Sequence, residues 1–280
     1  MAKITISDDD FQKFQEFFYR KTGIQFDTSK RYFVDKRLVE RIEANTCGDF
    51  RSYFTMLRFQ ASGNELQALV NLMTINETYF FREEYQFHCL VNSILPDIVA
   101  NKKNQSPIRI WVIPSSSGEE AYSIAMCLIE RWSGINQWDV EIISSDIDTK
   151  ILAQARVGLY SERSVKHVPK SYMQKYFKQT GQGFQLSSDL RSTVEFTRVN
   201  LMDQADVRGY HNFDVIFCRN LLIYFDDLSR KQAAETFYDA LHPGGFICLG
   251  HSESMSRISS LYKIRKFPEA IVYQKPGDGK

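Results

Sequence analysis

The stretch WVIPSSSGEEAYS, residues 111–123, joins an apolar run to an amphipathic segment through a turn of small residues. The apolar run IRIWVI stops at Pro114, and three serines and Gly118 follow before the segment EEAYSIAMCLIE begins. A strand, a small-residue turn and a helix in this order predict a nucleotide site. A pyrophosphate would bind at the N-terminus of the helix, yet this helix opens with Glu119 and Glu120. These two carboxylates limit which nucleotides the turn accepts.

Towards the C-terminus, short β-rich runs alternate with helical segments as far as GGFICLG, residues 244–250. The runs VEIISSDI and FDVIFCRN each precede a helical pattern, TKILAQARVGLY and DLSRKQAAETFYDAL. This alternation predicts an α/β domain over residues 108–280, with a parallel sheet covered by helices on both faces. Residues 160–199 interrupt the alternation, which predicts an inserted subdomain that contains β-strands.

Towards the N-terminus, the pattern is helical throughout. Phe11, Phe14 and Phe18 recur at helical spacing behind Ser7, a suitable N-cap. We therefore predict an all-helical domain over residues 1–75, and a linking segment with a helix over residues 76–107.

Composition excludes several classes of protein. The chain has 280 residues, is 43% hydrophobic and has a formal net charge of +1, so no global charge favours nucleic acid or an anionic membrane. Its start lacks a signal peptide pattern, and no apolar run approaches the ~20 residues needed to cross a bilayer. We expect a cytoplasmic protein, a monomer without direct membrane insertion, whose five scattered cysteines are reduced.

The ends of the predicted strands carry the polar residues. Because ligands of open α/β sheets bind beyond the carboxyl ends of the strands, Asp146, Arg219 and Asn220 join the Ser115–Glu120 turn at one predicted site. An acidic residue at the second strand end suits a ribose. Asp146 in a simple strand-end turn is the alternative interpretation.

The glutamates then distinguish among adenosine compounds. A carboxylate would repel a nearby phosphate by ~1 to 4 kcal/mol, depending on the dielectric, and the glycine patterns of phosphate-binding loops are absent from the sequence. S-adenosylmethionine has a sulfonium and an ammonium but no phosphate, so it suits an acidic pocket. Glutamates that only complement the helix dipole explain the motif equally well.

Five ordered segments resemble one known family: NETYFFREEYQF, SSSGEEAYSIAM, SSDIDTKILAQARVGLY, FDVIFCRNLLIYF and GGFICLGHSES. They are similar to the signature segments of the chemotaxis receptor methyltransferases, and the resemblance covers residues 10–272. It implies a Rossmann-like S-adenosylmethionine-dependent methyltransferase domain with a small inserted β-containing subdomain, behind an N-terminal all-helical domain. It also implies methylation of glutamate side chains on the cytoplasmic helices of membrane chemoreceptors, which leaves S-adenosylhomocysteine.

The resemblance further implies the site residues. Its cofactor contacts fall on Asn76, Thr78, Arg82, Glu120, Asp146, Asn200, Leu201, Arg219 and Asn220. Because an ionised glutamate has no proton to remove, the chemistry is a matter of positioning. We expect Arg82 to hold the incoming carboxylate and Tyr224 to donate a hydrogen bond beside it. The five histidines show no metal-ligand spacing, so we predict no metal.

Fewer features of the sequence indicate how the substrate is recognised. Lys30, Arg37 and Arg41 fall within about 40° of one another on the second predicted helix, and in the family such a basic helix meets the receptor. A solvated helix face is the alternative. Pro114 stands where the family usually has a small residue, which raises the alternative of a non-catalytic receptor-binding scaffold. A nucleic-acid methyltransferase is disfavoured because CRNLLIY replaces the expected D/N-P-P-Y/F segment, and a dehydrogenase because the glycine pattern is missing.

Overall fold

A computed structural model describes residues 4–102 and 106–277. Residues 1–3, 103–105 and 278–280, which belong to the three predicted domain ranges, lie outside the described residues.

The N-terminal domain is a cluster of four helices: α1 (Asp8–Thr22), α2 (Arg31–Ala44), α3 (Phe50–Phe59) and α4 (Asn64–Met73). Ser7 caps α1 by accepting the backbone N–H of Asp10, and Gly23 ends it with φ +72°, a conformation that favours glycine. The apolar faces meet in one core that contains Phe14, Phe18 and Leu38. The predicted all-helical domain is confirmed.

A linking segment without helix or strand, residues 74–84, leaves this domain, turns at residues 80–84 and leads into a long helix. That helix has three parts: α5 (Tyr85–Cys89), a π-helical turn (Leu90–Ile94) and α6 (Leu95–Asn101). Phe80 and Phe81 in the linking segment are buried. The segment is therefore packed along the second domain rather than crossing solvent.

The second domain alternates strands and helices. The described strands are β1 (Ile108–Val112), β2 (Val140–Asp146), β3 (Leu159–Tyr160), β4 (Phe177–Thr180), β5 (Gly183–Leu186), β6 (Val194–Arg198), β7 (Phe213–Cys218), β8 (Leu241–Leu249), β9 (Lys263–Lys266) and β10 (Ile271–Gln274). The helices are α7 (Glu119–Arg131), α8 (Thr149–Val157), α9 (Glu162–Val165), α10 (Lys170–Tyr176), α11 (Ser188–Arg191), α12 (Gln204–Val207) and α13 (Asp227–Ala240).

Seven strands form the main sheet in the order β6-β2-β1-β7-β8-β10-β9. The first five are parallel, whereas β10 pairs antiparallel with both β8 and β9. The sheet is therefore mixed. The alternation had predicted a parallel sheet, and that prediction is wrong for the pairs that β10 forms. Alternate residues of β7 face two cores: Val215 and Phe217 pack with α7 and α8, and Ile216 and Cys218 pack with α13.

The inserted subdomain is smaller than predicted. Its three strands form a separate antiparallel sheet in the order β3-β5-β4. The run VEFTR, which the prediction of residues 160–199 assigned to the insertion, is β6 of the main sheet, where Arg198 is paired with Asp146. The insertion therefore ends before Val194. No helix among the described residues has the length and apolar character to cross a bilayer.

Candidate functional site

The parallel strands β1, β2, β6 and β7 end at one edge of the main sheet. Asp146 is the last residue of β2, and Ser115, Asn200 and Arg219 follow β1, β6 and β7; all four are buried. The topology therefore brings together the strand-end residues that the sequence had placed at the site.

Asp146 organises the turn after β1. Its Oδ2 accepts the backbone N–H of Ser116 at 2.8 Å, and its Oδ1 accepts that of Asp148 at 3.0 Å. Burial raises the pKa of this carboxyl to about 6, although the two N–H donors oppose the rise. Each oxygen keeps a second lone pair, so the carboxylate still has the capacity to accept hydroxyl donors.

A small apolar cavity lies beside Asp146. The cavity is lined by Thr22, Ile24, Ile113, Pro114, Asp146, Ile147, Val199, Asn200, Leu201, Leu221 and Phe225. Asp146, Asn200 and Leu201, which were predicted to hold the nucleoside, therefore share one cavity. The side-chain amide of Asn200 is engaged at both ends, because Nδ2 donates to Lys21 O at 2.7 Å and Oδ1 accepts Met202 N–H at 3.0 Å. This residue thus shapes the cavity wall by holding the helical domain.

The linking segment, residues 74–84, crosses the same edge of the main sheet. The side chains of Thr74 and Asn76 both donate to Asp148 Oδ2, at 2.6 and 3.0 Å, and Phe81 N–H donates to the Ser123 hydroxyl at 3.0 Å. Asn76 is therefore anchored to Asp148, which comes two residues after Asp146 in the sequence. Thr78 lies between these anchors and is partly exposed.

Arg219 is a buried cation between two carboxylates. Its side chain is 1% exposed, with Nη2 3.3 Å from Glu83 Oε2 and Nη1 3.2 Å from Glu120 Oε2. Nη2 also donates to the backbone carbonyl of Arg82 at 2.6 Å. The structure gives this guanidinium a positioning role, since it fixes the linking segment and the Glu120 side chain. Its predicted cofactor contact stays a prediction.

Arg82 and Tyr224 lie at the open side of this cluster. Arg82 donates from Nη1 to Glu77 O at 3.1 Å, and its charge acts on both Glu120 and Tyr224. Burial raises the pKa of the Tyr224 phenol, and the negative charge of Glu77 raises it further. Tyr224 is therefore protonated at neutral pH and keeps an O–H to donate.

Asn220 marks a tight turn after β7. It has φ +58°, and its N–H donates to Glu253 Oε2 at 2.8 Å. Glu253 also accepts the N–H groups of Gly250 and Leu222, both at 2.9 Å. A carboxylate from the GHSES segment thus holds the turn that positions Tyr224.

Glu119 does not face the strand ends with Glu120. It is 3% exposed and accepts the hydroxyls of Ser117 at 2.7 Å and Ser164 at 2.6 Å. Burial raises the pKa of this carboxyl, against those two hydrogen bonds. It borders a separate cavity of about 540 Å³ between α8 and α9. Glu119 therefore ties the turn to the inserted subdomain.

The basic residues of α2 are arranged differently from the prediction. Arg41 donates to both oxygens of the buried Glu65, at 2.9 and 2.5 Å. Arg37 donates to Leu72 O at 2.5 Å and lies 3.4 Å over the ring of Phe33. The structure contradicts a free basic stripe, because both guanidinium groups are committed inside the helical domain. Lys30 is exposed, and its part in receptor recognition stays a prediction.

The residues present fit an ammonium-bearing adenosine cofactor. Among the described residues, Glu120 Oε1 and the hydroxyls of Ser115 and Ser116 are buried without a hydrogen-bond partner. A buried carboxylate oxygen left free is an acceptor for an ammonium group, and the free hydroxyls are donors or acceptors. No cluster of His, Cys, Asp and Glu among the residues described could hold a metal ion.

Comparison with known proteins agrees with this geometry. The family description "CheR methyltransferase, SAM binding domain" matches residues 76–271, and "CheR methyltransferase, all-alpha domain" matches residues 9–74. The chain belongs to the CheR methyltransferase family. The family predicted from the sequence is therefore confirmed, and with it S-adenosylmethionine-dependent methylation in chemotaxis.

Three curated relatives match this chain along nearly its whole length. It is 55% identical to chemotaxis protein methyltransferase 2 of Vibrio cholerae, over 100% of this chain and 97% of that protein. It is 34% identical to the chemotaxis protein methyltransferases of Vibrio parahaemolyticus and Salmonella typhimurium. Those matches cover 98% and 94% of this chain, and 99% and 90% of the relatives.

The structure adds to the candidate site residues that the sequence did not suggest. Glu83 and Glu253 hold Arg219 and Asn220, and Thr22 and Ile24 come from the helical domain. Glu83 lies inside the quoted segment NETYFFREEYQF, so its place in that motif was an available signal. Nothing in the local pattern around Thr22 and Ile24 indicates a pocket.

Proposed function

We propose that the protein transfers the methyl group of S-adenosylmethionine to glutamate carboxylates on the cytoplasmic helices of chemoreceptors. The observation that carries the proposal is Arg82, whose charge acts on both Glu120 and Tyr224. A cation therefore lies near the carboxylate that suits the cofactor ammonium and near a hydroxyl donor. The product would be a glutamyl methyl ester.

Arg82 is suited to bind the acceptor because its guanidinium is not neutralised by a close carboxylate. No ion pair of Arg82 is found among the described side chains, whereas the neighbouring Arg219 faces two carboxylates. A guanidinium offers a planar set of donors that matches a carboxylate. Arg82 therefore orients an incoming glutamate, and Tyr224 donates to it from the other segment.

The bound cofactor would supply an electrophilic methyl group on a sulfonium. Transfer would exchange the C–S bond for an O–C bond to the glutamate, with loss of both the carboxylate and the sulfonium charge. No proton moves, so the residues need only align the carboxylate, exclude water and hold the cofactor. Asp146 would hold the ribose and Glu120 the ammonium, while Asn76 and Thr78 would line the path between them.

The test begins with calorimetric titration of the protein with S-adenosylmethionine and S-adenosylhomocysteine. Methyl transfer is then measured on receptor-containing membranes, using a labelled methyl group that alkali releases from an ester as methanol. Micromolar binding and alkali-labile label support glutamate methylation. Binding with label that resists alkali would contradict a methyl ester, and failure to bind either compound would contradict the cofactor.

Matched variants separate the acceptor clamp from general loss of charge. Arg82→Ala and Tyr224→Phe should lower methyl transfer, while Arg51→Ala, which removes an exposed arginine of α3, should not. Full activity in both site variants would exclude the clamp. Lys30→Glu should raise the receptor KM without changing cofactor affinity, because Lys30 is exposed on the domain proposed to meet the receptor.

A further inference from the structure

The nucleoside cavity is closed on one side by the helical domain. Thr22, the last residue of α1, and Ile24, in the connection to α2, line it together with Asp146 and Leu201. Thr22 is 3% exposed, although it ends a helix of a different domain. A residue of the N-terminal domain is thus part of the pocket wall.

The same connection contacts both halves of the site. Lys21 O accepts the Asn200 side chain at 2.7 Å, on the nucleoside side. Ile24 forms an isolated antiparallel bridge with Phe225, and Gln25 N–H donates to Tyr224 O at 3.4 Å, on the acceptor side. The backbone of residues 21–25 therefore spans from the cofactor pocket to the proposed acceptor clamp.

The approach of the two domains is close at Gly23. With φ +72°, a Cβ atom there would lie 2.9 Å from Met202 Sδ and 3.3 Å from Ser229 Oγ. Tyr19 continues the contact, since its hydroxyl donates to Asp226 Oδ2 at 2.9 Å. The connection after α1 thus makes few polar contacts with the second domain, and the longest of them is only marginally a hydrogen bond. The helical domain is anchored separately by α4, where Gln67 donates to Ile147 O and Asn71 to Thr149 Oγ1.

In this conformation the cavity is too small for a nucleoside. Its volume is about 40 Å³, which is room for roughly three water molecules. The floor is formed by strand ends and buried side chains of the main sheet, which close packing makes rigid. The wall is a short connection joined to the second domain by a few contacts, so it is the side that can withdraw.

We propose that residues 22–26 are a movable wall of the nucleoside pocket: Ile24 packs on the bound nucleoside, and the connection withdraws to let the cofactor enter and leave. The inference rests on the proposed function, because it takes S-adenosylmethionine as the ligand. It also links receptor docking by the helical domain to cofactor exchange, through the contacts with Asn200 and Tyr224.

A larger side chain at position 24 tests whether the connection contacts the bound nucleoside. Ile24→Phe should weaken binding of S-adenosylhomocysteine and of 5′-methylthioadenosine by the same factor, at least tenfold, because both carry the nucleoside. Ile6→Phe is the matched control, since Ile6 is also a partly buried isoleucine of the helical domain. Equal affinities in the two variants would overturn the inference. A wild-type protein that binds neither compound would instead overturn the proposed function.

The motion is tested by locking the bridge. Antiparallel partners have Cα atoms about 4.5 to 5.5 Å apart, within the range of a disulfide. The double variant Ile24→Cys/Phe225→Cys should bind S-adenosylhomocysteine at least tenfold more slowly when oxidised than when reduced. Cofactor bound before oxidation should leave correspondingly slowly. Equal rates in both redox states would exclude a wall that has to move.

Hydrogen exchange of the wild-type protein tests the proposed motion of the connection without any substitution. The amide of Gln25 should exchange faster than the amides of α3 in the free protein, and S-adenosylhomocysteine should slow it at least tenfold while leaving α3 unchanged. Strong protection of Gln25 in the free protein would overturn the proposed motion, even if the cysteine variant failed to bind.

Discussion

Replacement of Asp146 by asparagine tests the ribose contact with little change of side-chain shape. Oδ2 and Oδ1 of Asp146 each accept a backbone N–H, from Ser116 and Asp148. Whichever way the amide is turned, its NH₂ group faces one of these donors, so one hydrogen bond is lost. An unsatisfied buried donor costs about 1 to 3 kcal/mol of folding free energy.

Loss of the buried charge offsets that cost. Burial raises the pKa of Asp146 from 3.8 to about 6, which corresponds to about 3 kcal/mol of unfolding free energy lost at neutral pH. Because the folded-state pKa is the higher one, the contribution of this carboxyl to stability is full below pH 3.8 and is lost as the pH rises through about 6. In Asp146→Asn the two effects nearly cancel, so we expect the free energy of unfolding at neutral pH to change by less than about 2 kcal/mol.

Cofactor affinity should respond quite differently. Charge-assisted hydrogen bonds from the ribose contribute about 1.5 to 3 kcal/mol, so Asp146→Asn should raise the Kd of S-adenosylhomocysteine roughly 10- to 150-fold. In the wild type the Kd should rise as the pH falls below about 6, because the acceptor becomes protonated. The variant should lack that rise.

The assay is calorimetric titration with S-adenosylhomocysteine between about pH 5 and pH 8, the range that brackets the Asp146 titration. The control is Asp49→Asn, which alters a capping carboxylate of α3 in the helical domain and should leave the Kd unchanged. An unaltered Kd in Asp146→Asn at neutral pH, with the fold intact, would refute the ribose assignment. A pH dependence that persists in the variant would assign the titration to another carboxyl, such as Glu120.

Three further substitutions separate positioning, stability and catalysis. Arg219→Met leaves the largely buried Glu83 and Glu120 without their cation, so it should cost about 3 to 5 kcal/mol of unfolding free energy in urea denaturation; an unchanged free energy of unfolding would show that the ion cluster does not stabilise the fold. Arg41→Met should cost a similar amount, because Glu65 is 4% exposed, yet leave the KM for receptor unchanged in folded protein; a raised KM would restore Arg41 to the receptor surface. Tyr224→Phe should lower kcat roughly tenfold with an unchanged cofactor Kd, as expected for one lost hydrogen bond; wild-type kcat would assign the phenol a packing role.

The division of the chain into a helical and an α/β domain was predictable from periodicity, because those signals are local. The C-terminal end of the inserted subdomain was not predictable in this way. The run VEFTR has the same β-rich pattern whether it pairs with β5 or with β2, and only the register of Arg198 against Asp146 shows which sheet it joins. The antiparallel pairing of β10 is likewise a matter of tertiary contact.

At the site, the sequence indicated which residues stand at the strand ends but not where their side chains bond. Arg37 and Arg41 share a face of α2, as the periodicity requires, whereas Lys30 lies in the 3-10 turn that precedes this helix. They turn into the domain because Glu65 and the carbonyl of Leu72 lie on α4. The partner of a long side chain depends on an element distant in sequence, which a helical wheel does not contain.

The two glutamates that first excluded a phosphate ligand have separate tasks. Glu119 is bonded to Ser117 and Ser164 and holds the turn against the inserted subdomain. Of the two, only Glu120 keeps a buried oxygen without a hydrogen-bond partner within the described part of the chain, while Arg219 faces its other oxygen. One carboxylate, already partly neutralised, therefore remains at the helix start. This arrangement still disfavours a phosphate there, because an ionised phosphate oxygen cannot donate a hydrogen bond to the free oxygen of Glu120. An ammonium group can donate one, and S-adenosylmethionine has such a group.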